Sequence, residues 1–109
     1  MKHLCSLDTL QQTQKRSLAF DLDGLALFLV SEADHWHAYK NSCPHRGIRL
    51  DWDNEQFLDY DEELIQCASH GALFRIDNGL CVAGPCSNAK LQKYPLIIQK
   101  QQVYVDLSD

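Results

Sequence analysis

The sequence predicts an all-β protein, a small antiparallel sandwich or barrel built from short strands. Short apolar runs recur along most of the chain, and turn-forming residues separate them. The Asp23-Gly24 step between two apolar runs is typical of a β-hairpin, and Asp77-Asn78-Gly79 is a second tight turn. The predicted strands cover residues 17–21, 25–30, 35–40, 63–66, 73–76, 80–82, 96–100 and 103–107.

The length of 109 residues predicts one domain, 1–109, with one modest hydrophobic core. One helix is predicted, over residues 7–15. The longest apolar run, residues 25–30, is too short to span a bilayer, so we expect no membrane partner. The N-terminus lacks the apolar segment of a secretory signal, and the protein is therefore predicted to be cytoplasmic.

Charge and cysteine content narrow the class of function. The formal net charge is −5, from 15 acidic and 10 basic residues, and nucleic-acid phosphates would repel such a surface. The charge suits docking against a basic patch on a partner protein, although solubility alone also explains it. Five cysteines are an odd number for a small cytoplasmic chain, which favours metal binding over a disulfide framework.

Two loops between predicted strands each carry one cysteine and one histidine. The first, 43–47, reads CPHRG, and the second, 67–71, reads CASHG. Zinc modules commonly pair like ligands, whereas each pair here is mixed. Mixed pairs suit a dinuclear iron–sulfur centre in which two cysteines bind one iron and two histidines bind the other. The candidate metal ligands are Cys43, His45, Cys67 and His70.

With these motifs the chain resembles the Rieske [2Fe–2S] proteins, specifically the small Rieske ferredoxins related to those that feed aromatic-ring dioxygenases. The resemblance covers residues 39–95. It implies an all-β fold, a Rieske-type antiparallel β-sandwich with a small cluster-binding subdomain of two loops, 43–50 and 67–74. A Gly-Pro loop at 83–88 is similar to the family's third loop, and its Pro85 resembles the proline that caps the cluster.

The resemblance also implies one [2Fe–2S] cluster per chain, with Cys43, His45, Cys67 and His70 as its cofactor-binding and metal-binding residues. Replacing two thiolates by neutral imidazoles makes the cluster less negative and raises its reduction potential. His45 and His70 are expected at the exposed end, where a partner approaches.

Several positions depart from related families. The interval between the two ligand pairs is longer than usual, and the excess is placed in 51–62, an acidic stretch read as a solvated connection or a partner contact. High-potential Rieske proteins have Ser and Tyr where this chain has Ala72 and Phe74. The missing hydroxyls predict a potential toward the low end of the range of roughly −150 to +300 mV. Cys81 and Cys86 are expected to be buried thiols near the cluster rather than ligands or a disulfide.

The resemblance implies a one-electron carrier and not an enzyme. Its expected partners are redox proteins: a flavin reductase as donor, and an oxygenase or another reductase as acceptor. Intrinsic oxygenase activity is rejected, because a mononuclear iron site needs two histidines and no histidine follows Cys86. Two alternatives stay open: a cluster-bearing small subunit of a larger oxidoreductase, similar to the nitrite reductase small subunit, and a zinc-binding module.

Overall fold

The computed structural model describes residues 1–33, 35–42, 57–59, 63–67, 71–84 and 89–107. Within these ranges the chain forms ten short strands and one short helix. No helix in the described ranges is long and apolar enough to cross a membrane. The elements are β1 Lys2–Ser6, α1 Leu7–Gln12, β2 Ser17–Leu22, β3 Leu25–Glu32, β4 His35–Lys40, β5 Leu64–Gln66, β6 Leu73–Arg75, β7 Cys81–Ala83, β8 Lys93–Tyr94, β9 Leu96–Gln99 and β10 Gln102–Val105.

The strands form three antiparallel sheets. The terminal sheet joins the two ends of the chain in the order β1-β10-β9, and the central sheet has the order β2-β3-β4-β8. The small sheet has the order β5-β6-β7. Every strand pair is antiparallel, which confirms the predicted all-β class.

Strand β3 lies in the middle of the molecule, and its alternating side chains enter two different cores. Phe28 and Val30 pack in the small-sheet core, between the central sheet and the small sheet. Leu27 and Leu29 pack in the terminal-sheet core, between the central sheet, the terminal sheet and α1. All four side chains are fully buried, so β3 is apolar on both faces.

The predicted hairpin at Asp23-Gly24 is confirmed. Asp23 (φ 53°) and Gly24 (φ 93°) both have positive φ, the combination that a type I′ turn requires. The Gly24 N–H donates to the Asp21 carboxylate at 2.9 Å, and Leu22 pairs with Leu25 across the turn. The two strands therefore meet in tight register.

The helix is shorter than predicted, ending at Gln12 instead of residue 15. Its N-cap is Ser6, whose hydroxyl accepts the Thr9 N–H at 3.4 Å. At its other end Thr13 is extended, and the Thr13 hydroxyl accepts the Lys15 N–H at 3.1 Å. This local hydrogen bond competes with another helical turn.

The structure adds two strands that the sequence does not predict, β1 and β8. Strand β1 pairs with β10, so its partner lies about a hundred residues further along the chain. Strand β8 has two residues and pairs only at the edge of β4. Other predicted strands differ from the observed ones by one or two residues at their ends, and 35–40 agrees.

The interpretation of 51–62 as a solvated connection is wrong for the part that the structure describes, 57–59. Leu58 forms an antiparallel bridge with Ile65, which extends the small sheet beyond β5. Phe57 is fully buried, and its ring stacks on Phe28 with the centroids 4.2 Å apart. Residues 51–56 and 60–62 lie outside the described ranges.

Candidate metal centre

The second cysteine–histidine motif starts where β5 ends. The Cys67 N–H donates to the Ala72 carbonyl at 2.8 Å, and the Gly71 N–H donates to the Cys67 carbonyl at 3.0 Å. Gly71 has a φ of +67°, a conformation that L-residues adopt at a cost. These contacts hold the two ends of the motif loop together between β5 and β6.

Cys67 is the one predicted ligand that lies within the described ranges, and its thiol is fully buried in the small-sheet core. Cys43, His45 and His70 lie outside those ranges. Among the described residues no group of three or more His, Cys, Asp or Glu side chains is arranged to hold a metal. The four-residue ligand set therefore stays a prediction.

The residues at the end of β4, just before the first motif, are held by backbone hydrogen bonds. The Lys40 N–H donates to the Gln92 carbonyl and the Asn41 N–H to the Ala26 carbonyl, both at 2.9 Å. The Ser42 N–H donates back to the Lys40 carbonyl, also at 2.9 Å. The first predicted ligand is the next residue, so its motif is attached to the central sheet.

Gly84, in the third loop, lies against Ala72, the residue that follows the second motif. Gly84 has a φ of +99°, and a Cβ atom there would lie 2.8 Å from the Ala72 Cα atom. Only glycine permits this approach of two backbones without displacement. Pro85 and Cys86 lie outside the described ranges, so the predicted capping role of Pro85 is not addressed by the structure.

Cys67 packs in a core whose described members are apolar. Ala72 and Phe74, which occupy the positions of the two missing hydroxyls, are both fully buried. Cys81 is also buried, which confirms that part of the prediction. Its thiol donates to the Ala83 carbonyl at 3.3 Å.

This environment fits a metal ligand. A metal bound to the Cys67 thiol would remove its proton, since a coordinating thiol is deprotonated outright. Soft thiolate and imidazole donors, as in the predicted set, are those that iron–sulfur clusters use.

The sequence does not reveal a contact between the central sheet and the small sheet at Tyr39. The Tyr39 hydroxyl donates to the Ile76 carbonyl, and both residues are buried. Burial, together with the nearby carboxylates of Asp77 and Glu32, raises the pKa of Tyr39, so the phenol keeps its proton as a donor. The residue near this contact that stands out in the sequence is Gly79, in a predicted turn. In the structure, a Cβ atom at Gly79 would lie 2.8 Å from the Tyr39 ring.

Comparison with known proteins identifies the family. A family model described as Rieske [2Fe-2S] domain matches residues 2–95. The ferredoxin component of the alkene monooxygenase system of Xanthobacter autotrophicus (strain ATCC BAA-1158 / Py2) is 29% identical over 102 residues. The alignment covers 94% of this chain and 77% of that protein.

Solved structures share the fold. The ferredoxin of carbazole 1,9a-dioxygenase from Nocardioides aromaticivorans IC177 matches with a TM-score of 0.69 at 24% identity, covering 96% of this chain and 97% of that one. The terminal oxygenase of carbazole 1,9a-dioxygenase from Novosphingobium sp. KA1 matches with a TM-score of 0.75 at 22% identity, covering 99% of this chain and 30% of that one.

These matches confirm the predicted fold class and the resemblance read from the two motifs. The family model spans most of the chain, including the buried Cys67 and the hydrogen-bonded loop ends around it. This chain belongs to the Rieske [2Fe–2S] domain family, and its cofactor is a [2Fe–2S] cluster.

Proposed function

We propose that this chain carries single electrons from a reductase to an oxygenase or another redox enzyme. The observation that carries the proposal is the buried Cys67 at the hydrogen-bonded ends of a motif loop, in a chain that matches the Rieske family over residues 2–95. A bound [2Fe–2S] cluster supplies reversible one-electron chemistry. The names of two relatives, ferredoxins of an alkene monooxygenase and of a carbazole dioxygenase, support an oxygenase as the acceptor.

We propose Cys43, His45, Cys67 and His70 as the ligands, within a single domain of residues 1–109. The first pair follows β4 of the central sheet, and the second pair lies between β5 and β6 of the small sheet. One cysteine and one histidine then come from each of two sheets. The loops would be 43–50, 67–74 and 83–88.

The chain's own residues would set a low reduction potential. Hydrogen bonds to cluster sulfur favour the reduced, more negative state. Ala72 and Phe74 are buried and have no hydroxyl to donate such bonds. The carrier would therefore suit a low-potential acceptor.

The ligand assignment is tested by replacing one histidine. His70→Cys should convert the mixed ligation of the second iron and so remove the low-average-g EPR signal of a Rieske centre, even where some cluster remains. The matched control is His37→Gln on β4, which should keep the signal because His37 is not among the proposed ligands. An unchanged signal in His70→Cys would remove His70 from the ligand set.

The carrier function is tested with purified partners. A flavin reductase and NADH should reduce the chain by one electron per molecule, and a Rieske oxygenase should then reoxidise it. The chain alone should form no product. Because the net charge is −5, we expect the transfer rate to fall as salt screens attraction to a basic partner surface. A chain that accepts electrons from the reductase but never donates them would contradict the proposal.

A second candidate is a cluster-bearing subunit of a larger oxidoreductase. This candidate is supported by the fold that the chain shares with part of a larger terminal oxygenase chain. Such a subunit should co-purify with a larger chain at fixed stoichiometry, whereas a carrier should purify alone. Cell fractionation tests the proposed cytoplasmic location in the same preparation, and recovery in the membrane fraction would contradict it.

A further inference from the structure

In the sequence, one proposed ligand pair follows a strand of the central sheet and the other lies between two strands of the small sheet, and the backbone between the pairs is long. Twenty-one residues separate His45 from Cys67, and a connection of that length does not by itself fix the distance between its ends. A metal centre needs its ligands held to within about 0.5 Å. Contacts between the central sheet and the small sheet must therefore supply the alignment.

Apolar side chains pack between these two sheets. The small-sheet core joins them through side chains such as Phe28, Ile65 and Phe74. Apolar packing stabilises the assembly, but the hydrophobic effect is non-directional. Directional contacts are needed to define how one sheet lies on the other.

Two side-chain hydrogen bonds join the sheets at the turn between β6 and β7, beside the backbone hydrogen bond from the Leu91 N–H to the Gly79 carbonyl. The Tyr39 hydroxyl donates to the Ile76 carbonyl, and Lys93 Nζ donates to the next carbonyl, that of Asp77, at 2.7 Å. Tyr39 and Lys93 are direct partners across β4 and β8, and the Lys93 ammonium lies 6.0 Å from the centre of the Tyr39 ring. Two neighbouring side chains of the central sheet thus hold two consecutive carbonyls of the small sheet.

The turn that they hold is itself well braced. The Arg75 guanidinium donates to both carboxylate oxygens of Asp77, at 3.0 and 2.8 Å. The Leu80 N–H donates to the Asn78 side chain at 2.9 Å. A displacement of this turn would therefore move β6 and β7 together.

Gly79 brings the turn against the tyrosine ring. Its φ is +76°, and an added Cβ atom would lie 2.8 Å from Tyr39 and 3.2 Å from the Leu91 Cβ atom. The small sheet is thus fitted to the Tyr39 side chain by shape as well as by hydrogen bonding.

We propose that Tyr39 and Lys93 form a clamp that positions the small sheet, and with it the Cys67–His70 pair, relative to the Cys43–His45 pair. The inference rests on the ligand assignment proposed above. Tyr39 lies four residues before Cys43, and β6 begins three residues after His70. The clamp therefore connects β4, which leads into the first motif, with the turn that ends β6, the strand that follows the second motif. Both side chains are positioning residues that touch no reacting atom.

The test compares Tyr39→Phe with Tyr94→Phe in the full-length loaded protein. Tyr94 is also a buried tyrosine, and it lies next to Lys93 in sequence but in the terminal-sheet core. Loss of one directional hydrogen bond should speed metal release to a chelator by about tenfold in Tyr39→Phe, measured where circular dichroism shows the fold intact. Tyr94→Phe should release metal at the same rate as the wild-type protein when the two proteins are compared at equal unfolding free energy.

A second readout separates positioning from general stability. In Tyr39→Phe the EPR lines of the reduced protein should broaden, because the ligand pairs sample more relative positions, and Lys93→Met should broaden them less. The clamp would be overturned if metal-release rates depended on unfolding free energy in the same way in Tyr39→Phe and Tyr94→Phe and the EPR line widths were unchanged.

The outcome for the clamp can be separated from that for the ligand assignment. Metal release is followed by elemental analysis, so it reports on the clamp whichever metal the chain holds. Wild-type protein loaded with zinc alone would overturn the proposed function, while a tenfold faster zinc release in Tyr39→Phe would still support the clamp. Amide hydrogen exchange at Gly79 and Leu80 in metal-free protein gives the same comparison without any metal, and equal exchange in both variants would contradict the clamp.

Discussion

The central sheet has a core on each side, and the two cores are built differently. The terminal-sheet core consists of apolar side chains such as Leu27, Leu29 and Val103. The small-sheet core adds a stacked aromatic pair and a tyrosine bound to a turn carbonyl. Both cores bury apolar surface, and among the described residues the small-sheet core also has a ring stack and a side-chain hydrogen bond that fix relative position. We infer that the terminal side stabilises the fold while the small-sheet side also aligns the metal ligands.

The largest expected effect comes from emptying one core at a time, at adjacent positions of β3. Phe28→Ala removes the ring that stacks on Phe57 and should cost about 3–5 kcal/mol of unfolding free energy. Leu29→Ala, on the opposite face, should cost about 2–5 kcal/mol. Denaturant melts measure both costs, and visible absorbance in chelator measures cluster loss.

Only Phe28→Ala should lose cluster faster than its stability loss explains. Equal cluster loss in both variants at matched stability would show that the two cores serve the metal centre alike.

The next effect distinguishes two glycines with positive φ. Gly84→Ala places a Cβ atom 2.8 Å from the Ala72 Cα atom, whereas a Cβ atom at Gly24 meets nothing within 4 Å. Both substitutions force alanine into a left-handed conformation, which costs about 1–2 kcal/mol. Gly84→Ala should cost about 1–3 kcal/mol more through the clash.

Thermal melts check the difference between the glycine variants, and EPR checks the centre. Gly84→Ala should alter the spectrum while Gly24→Ala leaves it unchanged. Equal melting temperatures and equal EPR spectra in the two variants would mean that close packing at Gly84 does not affect the metal centre.

A smaller effect concerns the reduction potential. Ala72→Ser and Phe74→Tyr each restore a hydroxyl in the small-sheet core, and one hydrogen bond worth about 1 kcal/mol more in the reduced state raises the potential by about 40 mV. Ala38→Ser makes the same change in the terminal-sheet core and should leave the potential unaltered. Redox titration followed by visible absorbance measures all three, and a shift in Ala38→Ser as large as in Ala72→Ser would remove the explanation.

The smallest effect is expected at the second buried cysteine of the small-sheet core. Cys81→Ala should keep the cluster and cost about 1 kcal/mol, because it removes a buried sulfur and its contact with the Ala83 carbonyl. Cys67→Ala, in the same core, should abolish cluster binding. The iron content of both variants tests this difference, and loss of iron in Cys81→Ala would make Cys81 a fifth candidate ligand.

Local patterns predicted much of this molecule. The Asp23-Gly24 turn and the strands around it follow from residue types that are adjacent in sequence, and the two motif loops are recognisable for the same reason. Strand β1 escaped prediction because its pairing with β10 depends on residues at the far end of the chain. The burial of Phe57 depends on Phe28, which is also distant in sequence.

The directional contacts were the least predictable part of the site. The Tyr39 hydroxyl and the Lys93 ammonium bind backbone carbonyls, and a carbonyl is present at every position whatever the residue type. Gly84 signals a turn in the sequence, but its approach to Ala72 exists only after the small sheet has formed. Residue patterns therefore predict candidate ligands better than they predict the contacts that would align them.

The central claim is that Cys43, His45, Cys67 and His70 hold a [2Fe–2S] cluster with mixed ligation. The most direct test is the EPR spectrum of the dithionite-reduced protein, recorded on a sample analysed for iron, acid-labile sulfide and zinc. We predict red-brown protein with two irons and two sulfides per chain and the low-average-g signal of a Rieske centre. Colourless protein that contains zinc, or a signal typical of an all-cysteine cluster, would contradict the claim.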